Sequence, residues 1–331
     1  MDKKIDISIV IPVYEEEESL PELCQWIQAV MNKIKETKAD WQYEVIMIDD
    51  GSEDNSWEVI HQLAEKNSSI KGIKFNRNYG KSAALDTGFR VAQGEVVITM
   101  DADLQDSPDE VPALYQMIKE EKFHLVSGWK KKRHDPLNKT IPSKIFNRVT
   151  RLLTGIPLND FNCGLKAYQN KVVKSIEVYG EMHRYIPVIA KWSGFKKIGE
   201  KVVEHRPRKY GVTKYGLKRF ITGFLDLLSI IFVGKFRKQP MHFFGFLGLL
   251  SWLIGGLITV WLLIEKQVKL YVYNIPFKEI RDIVDQPLFF IALTAVIIGM
   301  QLFLAGFIGE LIALNAPQRN DYLIAEKVNI E

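Results

Sequence analysis

Residues 96–106 read VVITMDADLQD, an apolar, β-branched run that stops on two aspartates one residue apart, Asp101 and Asp103. A short charge-free strand of this kind belongs in a parallel sheet covered on both faces, and open sheets of that type bind ligands beyond the carboxyl ends of their strands. Carboxylates are hard oxygen ligands, so a pair placed there suits a Mg²⁺ or Mn²⁺ ion that shares its shell with substrate phosphates. Asp-x-Asp is also a common surface turn, and its meaning depends on what accompanies it.

The accompaniment is an alternation of strand and helix over residues 1–130. Strands are expected at Ile7 to Val13, Tyr43 to Ile48, Ile70 to Phe75, Val96 to Met100 and Phe123 to Ser127. Between the first two, Ser19 to Lys35 opens with a capping box, Ser19 with Glu22, and then places Leu23, Ile27, Val30 and Ile34 on one helical face. The pattern is that of a doubly wound, mostly parallel α/β sheet of nucleotide-binding type. Its strand ends carry chemistry. The first stops on Pro12-Val13-Tyr14-Glu15-Glu16 and the second on Asp49-Asp50-Gly51-Ser52. A tyrosine can stack on a base, and an aspartate can accept from a base N–H or a ribose hydroxyl. Arg77-Asn78-Tyr79-Gly80-Lys81 follows the third strand, and its two cations flanking a glycine suit a diphosphate.

Beyond the sheet the composition changes. Residues 128–151 hold Lys130, Lys131, Lys132, Arg133, Lys139, Lys144, Arg148 and Arg151 against the single acid Asp135, which fits either a solvated face or an anion-binding loop. Gly216 to Phe236 places Lys218, Arg219, Thr222, Asp226 and Ser229 in a narrow polar stripe, as in a helix lying in a membrane interface. Phe243 to Ile264 and Leu288 to Ile308 then run without a charge, each covering roughly 30 Å at ~1.5 Å per residue, the hydrocarbon thickness of a bilayer. MDKKIDISIVIPVY reads as a first strand and not as a secretory signal, and Lys235, Arg237 and Lys238 before the first span favour a cytoplasmic catalytic domain. The loop from Glu265 to Pro287, with four basic residues of its own, weakens that signal. Two cysteines, Cys24 and Cys163, make no disulfide framework and fit a reducing compartment.

IPVYEEEESL, DDGSEDNS, RNYGKSAALDTGF and DADLQDSPDE together resemble the serial signatures of family 2 inverting glycosyltransferases with the GT-A fold. DFNCGLKAY (160–168), HRPRKYGVTKYG (205–216) and the two terminal spans are similar to the polyprenyl-phosphate glycosyltransferases, the group containing dolichyl-phosphate mannose synthase and bacterial undecaprenyl-phosphate sugar transferases. Two positions depart from that pattern: Glu15 stands where Asn is customary and Ser107 where Pro is. Both bear on donor contacts, not on the class.

The resemblance implies a division into a GT-A catalytic domain (1–212), an amphipathic juxtamembrane region (213–240), a two-span region (241–315, with spans at about 243–264 and 288–312) and a cytoplasmic tail (316–331). It also implies that Pro12, Tyr14, Glu16 and Asp50 hold the nucleoside, within a donor set that further includes Asp49, Arg77, Lys81 and Asp101-Ala102-Asp103. Asp101, Asp103 and Gln105 would surround the metal, Asp103 bridging it to the diphosphate. Lys130, Lys132 and Arg133 would receive the lipid phosphate, Asp160 would face the reacting sugar, and Arg206, Arg208, Lys214 and Tyr215 would sit on a loop closing over both substrates. The implied partners are a nucleotide sugar, with UDP favoured over GDP, a polyprenyl phosphate and an inner cytoplasmic membrane, in a homo-oligomer for which the resemblance favours a tetramer, and without nucleic acid. The alternatives are a processive polysaccharide synthase, which would carry a Gln-x-x-Arg-Trp motif and more spans, and a non-catalytic membrane subunit or flippase, which would have lost Asp101, Asp103 or Gln105.

Overall fold

A computed structural model of the chain describes residues 4–37, 40–131, 137–207, 209–210, 232, 239–314 and 324–330. It divides into two units, Met1–Ile231 with Arg319–Glu331, and Phe232–Gln318.

The first unit is built on an eight-stranded sheet in the order β7-β5-β6-β4-β1-β2-β3-β8. Its strands are β1 (Ile7–Val13), β2 (Tyr43–Asp49), β3 (Ile70–Phe75), β4 (Val96–Thr99), β5 (Leu125–Trp129), β6 (Lys166–Gln169), β7 (Ile198–Val202) and β8 (Ile324–Val328). β1 pairs in parallel with both β2 and β4, so the order turns back on itself at β1, and the crevice between the ends of β1 and β4 is the point where open α/β sheets take ligands. Only β6 and β8 run against the rest, β6 between β4 and β5, and β8 on the outer edge of β3.

Both faces are covered. Ile7, Ile9 and Ile11 point to one side and pack with α1 (Leu20–Thr37), α2 (Ser56–Lys66) and α4 (Val111–Lys119). Val10 points to the other and packs with α3 (Lys81–Val91), α6 (Asn170–Ser175) and α7 (Ile186–Trp192). That two-residue alternation, with apolar side chains on both faces, is why the central strands carry almost no charge. The expected apolar face of α1 is as read, with Leu23, Ile27, Val30 and Ile34 all buried. Its capping box is not. Ser19 Oγ donates to Glu16 O at 3.0 Å and Glu16 Oε2 at 3.1 Å, while the Glu22 carboxylate is drawn away to Lys209 and Tyr210. A helix α5 (Leu137–Thr154) joins β5 to the segment leading into β6.

Residues 324–328, within the expected cytoplasmic tail, form β8, and its neighbours secure it. Trp57 Nε1 donates to Glu326 Oε2 at 2.7 Å, and Asn329 Nδ2 donates to the carbonyls of Ala64 and Ile70.

The second unit is a helical hairpin of α8 (Pro240–Tyr271) and α9 (Pro287–Leu314), both long and apolar enough to cross a membrane. Glycines let the two helices approach closely. A Cβ on Gly248 would lie 2.8 Å from Gly299 O, and one on Gly255 2.8 Å from Ala292 O, whereas Gly256 meets nothing within 4 Å. Close approach also lets Ser251 Oγ and Trp252 Nε1 donate to the Ala295 and Val296 carbonyls at 2.6 and 3.0 Å.

Candidate active site

The loops after β1 and β2 are stitched together backbone to side chain. Glu15 N–H donates to Ser52 Oγ and Glu16 N–H to Ser56 Oγ, both at 2.9 Å, and Glu17 Oε2 accepts from the backbone and side-chain nitrogens of Asn55. Glu15 has φ 52°. Asparagine tolerates that left-handed region better than glutamate does, which gives the customary Asn its physical reason. Gly51, at φ +72°, is required on two counts, since a Cβ there would sit 2.4 Å from the Arg77 carbonyl carbon.

That close approach brings the third loop in. Asp50 Oδ1 accepts from Tyr79 N–H at 2.7 Å, and both its oxygens accept from Gly80 N–H, so the carboxylate expected at the nucleoside holds in place the loop expected at the diphosphate. Arg77 stacks on Tyr79, 4.7 Å from the ring centre. Burial pushes the Asp50 carboxyl up to about 6, with adjacent Asp49 adding to the shift and the Tyr79 and Gly80 N–H groups opposing it. Asp49 is also raised, mainly by burial, and its Oδ2 has no hydrogen-bond partner among the described residues.

The sign of the Asp50 shift makes a prediction. Because the folded state holds this proton more tightly than the unfolded one, the group's contribution favours folding at low pH and is lost as pH rises through about 6. Donor binding should move the other way, since the ionised carboxylate is the stronger acceptor for the loop. The donor KM is expected to rise as pH falls below about 6, and Asp50→Asn to flatten that limb of the profile. Steady-state kinetics from pH 5 to 8 check it.

Asp101 and Asp103 follow β4 at the switch point. Asp101 keeps 29% of its side chain exposed and is paired with Lys81, the first residue of α3. Burial opposes its charge, but Lys81, Lys130 and Lys166 together hold its carboxyl well below the usual carboxylate range. Lys130 pairs at 2.8 Å with fully buried Asp106; burial works against its charge, and Asp106 and Asp101 nevertheless keep its pKa above that of an ordinary lysine. Asp103 is half-buried and accepts from Gln105 N–H at 3.2 Å. The Gln105 side chain turns away toward the 203–210 segment, donating to Arg206 O at 3.3 Å.

Among the described residues no three His, Cys, Asp or Glu side chains form a closed metal cage. Two carboxylates beside a cluster of cations fit a hard divalent ion that completes its shell with phosphate and water.

The remaining expected residues are dispersed. Asp160 is 1% exposed; its Oδ1 accepts from Asn162 N–H at 3.0 Å, closing an Asx turn, and its own N–H is held by Glu200. Arg206 lies over the Trp26 ring at 4.2 Å and pairs with Glu204. Lys132, Arg133, Arg208, Lys214, Tyr215 and most of the 216–236 stripe lie outside the described residues. Cys163 is 2% exposed and its thiol is pushed up to about 12 by burial, so it packs and does not react.

Three residues were missed in the sequence. Lys166, 3% exposed in β6, donates to Cys163 O and faces Asp101, and burial holds its pKa below the ordinary lysine value. Gly164 lies flat against the Asp101 carboxylate. His183 exchanges hydrogen bonds with Ser82, its N–H donating to Oγ at 3.0 Å and its Nδ1 lying 3.1 Å from the same atom. The signal was a lone lysine inside the otherwise apolar CGLKAY. Together with Pro12, Lys81 and Asn162 they line a cavity of about 20 Å³ beside Asp101, room for one water and too small for a sugar.

Sheet order, switch point and acidic strand end define a nucleotide-binding type of α/β fold. The model of glycosyl transferase family 2 matches residues 8–176, and the chain belongs to that family. Among solved structures, glucosyl-3-phosphoglycerate synthase from Mycobacterium tuberculosis, in complex with Mn²⁺ and UDP-glucose, shares the fold with a TM-score of 0.52 at 16% identity, over 70% of this chain and 79% of that one. Similar sequences extend further. The dodecaprenyl-phosphate galacturonate synthase of Rhizobium johnstonii is 32% identical over 314 residues, 94% of this chain and 88% of its own. Undecaprenyl-phosphate 4-deoxy-4-formamido-L-arabinose transferases of Pseudomonas syringae and Shewanella sediminis are 34% and 38% identical, over 79% and 70% of this chain and 74% and 68% of theirs.

Proposed function

We propose that the protein is a metal-dependent inverting glycosyltransferase that moves a sugar from a nucleotide sugar, UDP-linked in preference to GDP-linked, to a polyprenyl phosphate at the cytoplasmic face of a bacterial inner membrane. The observation that carries this reading is the reach of the similarity: it covers 94% of the chain, through the apolar hairpin, with a synthase named for a dodecaprenyl-phosphate product.

The site's chemistry supports it. Asp101 and Asp103 would hold Mg²⁺ or Mn²⁺, which when bound neutralises charge growing on the departing diphosphate. Lys81, with Arg77 on the adjoining loop, adds fixed positive charge on the same side. The acceptor is a phosphate monoester whose second pKa is about 6, so it is already largely anionic at neutral pH and needs no strong base. That accords with Asp160 being committed to an Asx turn. The chain's own task is to hold one anion against another, and Lys130 with the basic residues after it has the charge for it.

Connectivity supports the membrane part. Residues on both sides of the hairpin belong to the catalytic unit, as an even number of crossings requires. On α5, Ile145, Leu152 and Leu153 are exposed beside Lys144, Arg148 and Arg151, a mixture suited to an anionic lipid surface.

The test is incubation of the purified full-length protein in detergent with Mg²⁺ or Mn²⁺, a panel of UDP- and GDP-sugars, and polyprenyl phosphate, with mass spectrometry of the lipid fraction. A glycosylated lipid phosphate formed only with metal is expected. Transfer restricted to water-soluble acceptors, or undiminished by excess chelator, would overturn the reading.

A further inference from the structure

Side chains around β6 alternate between the two faces of the sheet. Leu165 and Ala167 join the core beneath α1, α2 and α4, and Tyr168 joins the core beneath α3, α6 and α7. Lys166 shares the Tyr168 side, where it is 3% exposed and lines the same small cavity as Lys81 and Asp101. It stands opposite Thr99 of β4, two residues before Asp101. Gly164 lets the Asp101 carboxylate seat directly against the chain entering β6, since a Cβ there would lie 2.5 Å from its Cγ.

Three ammonium groups act on Asp101, and they differ in what holds them. Lys81 is paired with Asp101 itself, and Lys130 with Asp106. Lys166 makes no ion pair among the described residues; its hydrogen bond goes to the neutral carbonyl of Cys163. Asp101 and buried Asp160 favour its charge only through space. Burying an ammonium group with no carboxylate in contact is unfavourable, and an apolar residue would fill β6 without that penalty. What the charge supplies is a field. A fixed cation behind a carboxylate repels a divalent ion approaching that carboxylate and attracts a diphosphate. We propose that Lys166 is a positioning residue that weights the site against a bare divalent ion and toward the diphosphate, so that the ion is held together with the nucleotide and not ahead of it. This rests on the metal and nucleotide-sugar reading above and is independent of the acceptor.

The two ligands are titrated separately on the purified full-length protein, Mn²⁺ by electron paramagnetic resonance without nucleotide and UDP by calorimetry without metal, with GDP in place of UDP where only GDP binds. Lys166→Met removes the charge and keeps the length of the side chain. Relative to wild type it is expected to bind Mn²⁺ about 10-fold more tightly and the nucleotide about 10-fold more weakly, the order expected of one unit charge at partly screened range. A residue that only packs β6 cannot produce opposite shifts, because loosening the site weakens both ligands. Two shifts of the same sign, or no shift in either, overturn the proposal. Lys166→Gln repeats the comparison if Lys166→Met does not fold. Should neither fold, the wild type still decides: Mn²⁺ is expected to bind about 10-fold more tightly with nucleotide present than without it, and equal affinity overturns the proposal. No lipid enters these titrations, so failure to form a lipid product overturns the proposed function and leaves their outcome standing. A wild-type protein that binds neither UDP nor GDP overturns both.

Discussion

Asp103→Ala is expected to lower sugar transfer by about 10²- to 10³-fold at saturating donor and metal, the usual effect of removing one group that stabilises charge in the transition state. The melting temperature should scarcely move. Asp103 is half-buried beyond the end of β4, in a loop whose course is set by buried Ala102, Leu104 and Asp106 on either side of it, and a substitution at such a position ordinarily changes stability by about 0.5 kcal/mol or less. Asp101→Ala would be a poorer experiment: Lys81 and Lys166 would lose the carboxylate they face, and lost activity would be mixed with the cost of cations left without it. The check on Asp103→Ala is kcat across a Mn²⁺ titration alongside calorimetry. Metal-dependent transfer at the wild-type rate would remove Asp103 from the metal site.

What the sequence disclosed and what it withheld follow from how local each feature is. β1 to β4 were legible within a residue or two because buried parallel strands are short apolar runs closed by polar loops, and those same loops carry Tyr14, Asp50, Arg77 and Asp103. β6, β7 and β8 were not. Lys166, Glu200 with Lys201, and Glu326 with Lys327 interrupt them with charge. β8 in addition finds its partner β3 some 250 residues earlier, on the far side of two apolar helices, and no periodicity announces so distant a pairing. The Ser19 capping box failed for a related reason, because Glu22 was claimed by Lys209 and Tyr210 from another part of the chain. Arg206 shows the same limit in the site: a motif reports that a guanidinium is present, and only the fold reports that Trp26 lies beneath it.

Gly164→Ala is expected to cost transfer about 10²-fold without unfolding the protein. An added Cβ would lie 2.5 Å from Cγ, Oδ1 and Oδ2 of Asp101 together, well inside van der Waals contact, so one side must yield. The backbone at Gly164 is poorly placed to do so, because its carbonyl accepts from Thr99 Oγ1 at 2.8 Å and the next turn of chain enters β6 against β4. The carboxylate must therefore rotate, away from its pairing with Lys81 and out of register with Asp103. Overpacking of this kind costs about 1–3 kcal/mol of stability, while a displacement of about 1 Å at a group that positions a reacting substrate is enough for a 10²-fold loss in rate. Mn²⁺ binding in the presence of UDP, followed by electron paramagnetic resonance or calorimetry, should weaken in parallel with kcat. Gly256→Ala is the matched control: its Cβ meets nothing within 4 Å, and activity should be retained. If Gly164→Ala binds metal and turns over like wild type, Asp101 has more freedom than its neighbours imply, and its close fit against β6 has no part in preparing the site.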